Sequence, residues 1–106
     1  MNNTKRKRLE AAGWKVGSAA DFLGLSSEEK AFVELKLSLS AKLKERRQRQ
    51  KLSQGELARR LRSSQSRVAK MEASDPTVSI DLLVRALLAT GATKREIAKA
   101  IASAAY

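Results

Sequence analysis

SQGELARRLRSSQSRVAKME, residues 53–72, holds two helix starts and one break in close succession. Ser53 with Glu56 three residues on forms a capping box, in which the Ser side chain and the Glu carboxylate each satisfy a free backbone N–H. Leu57, Ala58 and Leu61 then fall on one face. Arg62-Ser63-Ser64 interrupts the pattern, and Ser64 can cap a second short helix from Gln65 to about Ala73, with Val68 and Met71 as its inward pair. Two short helices joined by a three-residue turn are thus expected at the centre of the chain.

The flanks extend the same grammar. Upstream, Ser26-Ser27-Glu28-Glu29 opens a longer helix to about Gln50, with Phe32, Leu35, Leu39 and Leu43 on its apolar stripe and Val33 and Leu37 widening it. Downstream, Ser74-Asp75-Pro76 stops the second short helix, because proline disfavours helix in the residue before it. Ser79 caps a helix in which Ile80, Leu83, Val84, Leu87 and Leu88 repeat at helical spacing, and Gly91 suits its end. Thr93-Lys94-Arg95-Glu96 reads as a third capping box, placing Ile97, Ala98, Ile101, Ala102 and Ala105 on one side of a last helix. No segment alternates with period two for more than about four residues, so strands have no support. The expected fold is all-α, a compact bundle of about five helices. Its organisation divides into a basic arm and lead-in over 1–25, a core domain over 26–93, and a C-terminal helix over 94–106 that serves dimerisation or packing.

Charge narrows the function. The 106 residues carry 22 Lys and Arg against 11 Asp and Glu, a net +11. Residues 42–70 hold +9 of it, with only Glu45 and Glu56 opposing eleven cations. Mixed sign would suffice for solubility, so a stretch of one sign points to a polyanion, most simply nucleic acid. The chain has no Cys and no His, which closes disulfides, imidazole or thiolate zinc sites, and His-based nucleophilic catalysis. No enzyme motif and no cofactor site is expected. Glu28, Glu29 and Glu34 would hold Mg²⁺ only by coincidence. No apolar run reaches the roughly 18 residues of a membrane span, and Lys5-Arg6-Lys7-Arg8 is not followed by the apolar stretch of a signal peptide. A soluble, cytoplasmic protein is expected.

Residues 53–72, with their flanking helices, resemble the Cro/C1-type (XRE) helix-turn-helix family of phage repressors and bacterial regulators. The resemblance covers about 43–90. It implies that the second helix of the motif lies in the major groove, with Gln65, Ser66 and Lys70 at base-reading positions and Arg67 close by. The side chains suit that role: a Gln amide can bond adenine bidentately, and Arg or Lys suits guanine. Gln54 matches the family's phosphate-binding position, and Ser64, Arg62 and Arg46 join it as expected phosphate contacts. Arg47 aligns with a family Arg that pairs with a Glu, here Glu72, which implies a structural ion pair. The family usually places Gly where this chain has Arg62, so either the turn is reshaped or Arg62 is tolerated for a phosphate. Ser74 and Asp75 stand where related proteins often carry Gly and basic residues.

The resemblance implies a repressor working as a homodimer on a palindromic double-stranded operator, in a bacterial or phage setting. Phe22-Leu23-Gly24-Leu25 followed by the long helix also resembles the HigA-like antitoxin subset encoded beside RelE/HigB-like toxins, which adds a toxin as partner. Non-specific nucleic-acid binding, anionic membrane surfaces, or toxin neutralisation alone remain the competing readings. Trp14 and Phe22 read as packing residues. The Ile97 and Ile101 face reads equally as a dimer seam or as intramolecular packing.

Overall fold

The structure, a computed structural model, describes Gly24 and residues 26–103. Helices α1 (Ser27–Arg49), α2 (Gln54–Leu61), α3 (Gln65–Glu72), α4 (Ile80–Ala89) and α5 (Lys94–Ala102) account for it, with no strand among the described residues. The fold is all-α. The basic arm, Trp14, Phe22 and Ala105 lie outside the described residues.

Side-chain oxygens begin every helix. Ser26, Ser53, Ser64, Ser79 and Thr93 have extended backbones, and each accepts a hydrogen bond from the backbone N–H three residues on. Such a cap typically contributes about 1 kcal/mol. The reciprocal half of the box is made by Glu29 and Glu56. At Thr93 it is not made: Glu96 Oε2 accepts from Arg46 Nη1, and Oε1 accepts from the Thr93 hydroxyl at 3.4 Å rather than from its backbone N–H.

The ends of α1 to α4 share one device. Backbone N–H groups of Leu52, Ser63, Asp75 and Ala92 reach back to the carbonyls of Arg47, Ala58, Lys70 and Leu87 at 2.8–3.1 Å. Each closure places a residue at positive φ just past the helix. That residue is Gly91 after α4 (φ 90°), but Lys51, Arg62 and Ser74 after α1, α2 and α3 (φ 58°, 54° and 53°). Arg62 therefore keeps the left-handed turn at φ 54°, ψ 46° rather than reshaping it.

Leu39 and Leu43 of α1 meet Leu57 and Ala58 of α2, Val68 and Met71 of α3, and Leu83, Ala86 and Leu87 of α4 in one core, with Ile97 at its edge. The apolar faces are rotated or shortened relative to the sequence reading. On α1 the buried positions are Lys36, Leu39, Ser40 and Leu43, none in its first two turns, and Phe32 is 51% exposed. The helix runs 23 residues against neighbours of 8 to 10, so its first turns outreach them. On α4, Ala86 takes the buried place expected of Leu88, which is exposed. On α5, Ile97 and Ala100 turn inward, whereas Ala98, Ile101 and Ala102 face out.

Candidate nucleic-acid interface

The α2–turn–α3 unit is held from behind by an ion pair. Arg47 Nε and Nη2 donate to Glu72 Oε2 and Oε1 at 2.6 and 3.0 Å, a two-pronged contact between the end of α1 and the end of α3. Arg47 Nη1 also donates to the Leu52 carbonyl at 2.8 Å, pinning the α1–α2 loop. The Glu72 side chain is only 4% exposed and that of Arg47 13%. The Glu72 hydrogen bonds raise the Arg47 pKa above its ordinary value against the opposing effect of burial, so the guanidinium stays charged.

From that pair a chain of hydrogen bonds runs outward. Glu72 Oε1 accepts from Gln54 Nε2 at 3.2 Å, and Gln54 Oε1 accepts from Gln65 Nε2 at 2.7 Å. The polarity is forced: an ionised carboxylate only accepts, so Gln54 must aim its NH₂ at Glu72 and its oxygen at Gln65. Gln65 is left with Oε1 and one N–H uncommitted, one acceptor and one donor on an exposed amide. These are the groups needed to meet an adenine edge in the major groove.

Gln65, Ser66, Arg67 and Lys70 are all exposed, while Val68 and Met71 on the opposite face of α3 are buried. A shallow cavity of about 370 Å³ beside them is bounded by Ser64, Ser66, Arg67, Lys70, Thr77 and Val78. Ser64 caps α3 by accepting from the Arg67 backbone N–H at 3.2 Å. At the start of α2, the Ser53 backbone and side-chain hydrogen bonds hold the Glu56 carboxyl below its usual range. In the loop after α3, the Thr77 hydroxyl and backbone N–H donate to Asp75 Oδ1 at 2.6 and 2.9 Å and keep that acid ionised. Lys36 Nζ, buried on α1, donates to the carbonyls of Asp75 and Pro76 at 3.0 and 3.5 Å and supports this loop.

Arg46 is placed differently from its expected role. Its Nε donates to Thr90 Oγ1 and its Nη2 to the Thr90 carbonyl, both at 3.0 Å, while Nη1 holds Glu96. Gln50 Nε2 adds a third bond to Thr90, on the carbonyl at 2.6 Å. All three Arg46 nitrogens thus serve the fold, where a cation suits the negative end of α4. Arg46 thus makes contacts within the fold, as Arg47 does. Arg62 stands on the turn, exposed and without an acidic partner at hydrogen-bond distance among the described residues.

Sequence reasoning missed that Gln54 serves Gln65. The signal was present, since one polar amide at each helix start and an acid at the end of α3 are the parts of such a relay. Among the described residues no group of three or more acids is placed to hold a metal ion, and no helix is long and apolar enough to cross a membrane.

A family model described as a helix-turn-helix domain matches residues 38–100, which takes in the second half of α1, all of α2 to α4 and most of α5. Comparison with curated proteins found no match, and comparison with solved structures found none either.

Proposed function

Because the chain belongs to the helix-turn-helix domain family, we propose that it is a sequence-specific DNA-binding regulator that represses transcription by laying α3 in the major groove of an operator. The observation that carries this reading is the relay Arg47–Glu72–Gln54–Gln65, which fixes the amide orientation of the first exposed residue of α3. Base reading requires a donor–acceptor pair held in one polarity, and a solvated surface glutamine has no need of one. In this reading Gln65 bonds adenine, Lys70 and Arg67 favour guanine, and Ser66 makes a short contact to a base or a phosphate. Gln54 supports Gln65 and, with Ser64 and the free N–H groups opening α2, holds phosphates. Operator readers of this geometry work as dimers on half-sites one helical turn apart, and the exposed Ile101 on α5 and Leu88 on α4 are available to a second copy. A cytoplasmic setting in a bacterium or phage follows from that role.

Selection of binding sites from a randomised duplex pool tests this reading. The wild-type chain is expected to enrich a palindrome containing adenine at a fixed position in each half-site. Gln65→Ala is expected to lose preference at that position alone. An unstructured pool, or an unchanged preference in the variant, contradicts the reading.

An antitoxin role adds a protein partner, and the observation favouring it is Phe32, half exposed beside Val33 on the part of α1 that contributes nothing to the core. Co-purification with the product of a toxin-sized neighbouring reading frame, lost in Phe32→Ser, is its expected signature. A neighbouring product that never co-purifies contradicts it.

A further inference from the structure

A second cavity, of about 380 Å³, lies between the α2–α3 turn and α4 and shares Arg67 and Leu82 with the groove beside α3. Arg60, Arg62, Arg67 and Arg85 line it together. Its remaining walls include Leu61, Met71, Leu82 and Ala86, of which Leu61 and Leu82 are only partly buried against the core. Among the described residues no acid lines the cavity. Arg60 donates only to the neutral Gln50 Oε1, at 3.3 Å. Arg85 meets Asp81 in an exposed pair on its own helix, with both side chains about three-quarters exposed, a contact that leaves the guanidinium largely available. Arg62 points to the same place for an independent reason: it occupies a left-handed position that glycine would fill without strain.

We propose that this cavity binds a small organic anion, a carboxylate or phosphate carried on an apolar body, next to the base-reading helix. A volume near 380 Å³ lies within the range of small-ligand sites. Guanidinium forks bind carboxylate and phosphate oxygens two at a time. The apolar walls suit a hydrocarbon or ring, which a DNA phosphate does not offer. A second copy of the chain would bring its own arginines to the same place, and like charges repel. A ligand held there touches Arg67, which also lines the base-reading groove, so occupancy is coupled to DNA binding. The site itself does not depend on the repressor reading.

The experiment uses the full-length chain and 8-anilino-1-naphthalenesulfonate, an apolar anion that fluoresces when bound, titrated near physiological salt beside the neutral dye Nile red. Saturable binding of one dye per chain is expected, with Nile red bound far more weakly. Arg62→Gly and Arg85→Gln are each expected to weaken the dye at least fivefold. Arg62→Gly relieves the strained φ and so keeps the fold, and both variants are checked by circular dichroism. Arg59→Gln, an exposed cation on α2 outside the cavity, is expected to leave binding unchanged. Equal loss in Arg59→Gln, no loss in the cavity variants, or no saturable binding would overturn the proposal. So would duplex DNA weakening in step with the dye in both cavity variants, which would make the arginines phosphate contacts. A failed repressor reading shows instead as absent sequence preference in the duplex selection, whatever the dye does.

Discussion

Gln54 is the residue whose role changes most once the geometry is known. As a phosphate contact alone, its loss would weaken every duplex alike. Its amide instead stands between Glu72 and Gln65, so Gln54→Ala is expected to blur preference at the position proposed for Gln65, as well as lower affinity overall. Duplexes differing at that one base pair measure this. A good bidentate contact discriminates by about 1–3 kcal/mol, and a uniform loss across duplexes would return Gln54 to the backbone alone. Arg46 and Arg47 are adjacent in a run of cations, and nothing local separates them from Arg49 or Lys51. What distinguishes them is distant in sequence: Glu72 for one, Thr90 and Glu96 for the other. Arg47→Ala leaves a 4%-exposed carboxylate without its cation and is expected to cost about 3–5 kcal/mol. Arg46→Ala is also expected to lower the melting temperature, by less because Glu96 is partly solvated. Urea unfolding of both beside Arg49→Ala measures the order. Equal stability of Arg46→Ala and Arg49→Ala would return Arg46 to the surface.

At the scale of elements, the sequence carried most of the architecture. Helix starts are local chemistry, a hydroxyl three residues before the N–H it accepts from, and all of them were readable from Ser and Thr positions. Helix ends were less legible, because Lys51, Arg62 and Ser74 fill left-handed positions where glycine is the expected marker. The face of α4 was misread in part, with Ala86 buried where Leu88 was expected, and on α5 Ile97 shares the inward side with Ala100 while Ile101 is exposed. Apolar residues on several sides of a short helix leave its rotation to packing against neighbours, which periodicity does not encode. Arg62→Gly is expected to stabilise the domain by about 1 kcal/mol, since a side chain at positive φ costs about 1–2 kcal/mol and glycine's freer unfolded chain returns part of the gain. Thermal melting should rise by several degrees for a domain this small. A fall would mean that the Arg62 side chain makes a stabilising contact.

For the whole molecule, charge and fold combine. The concentration of +9 within residues 42–70 announced a polyanion partner, yet the structure divides those cations among three tasks. Arg46 and Arg47 build the fold, Arg67 and Lys70 stand on the exposed side of α3, and Arg60, Arg62 and Arg67 edge an apolar cavity. Composition cannot make that division, because it depends on which side of each helix meets the core. It also leaves open whether the binding is selective. The most direct measurement is fluorescence anisotropy with a duplex from upstream of the chain's own gene and with a scrambled duplex of equal length, each titrated at several salt concentrations. Preference for the native duplex by about 10³-fold or more near physiological salt is the predicted result. Equal affinities that fall together and steeply with salt would contradict it, leaving the charge as a non-specific anchor to nucleic acid.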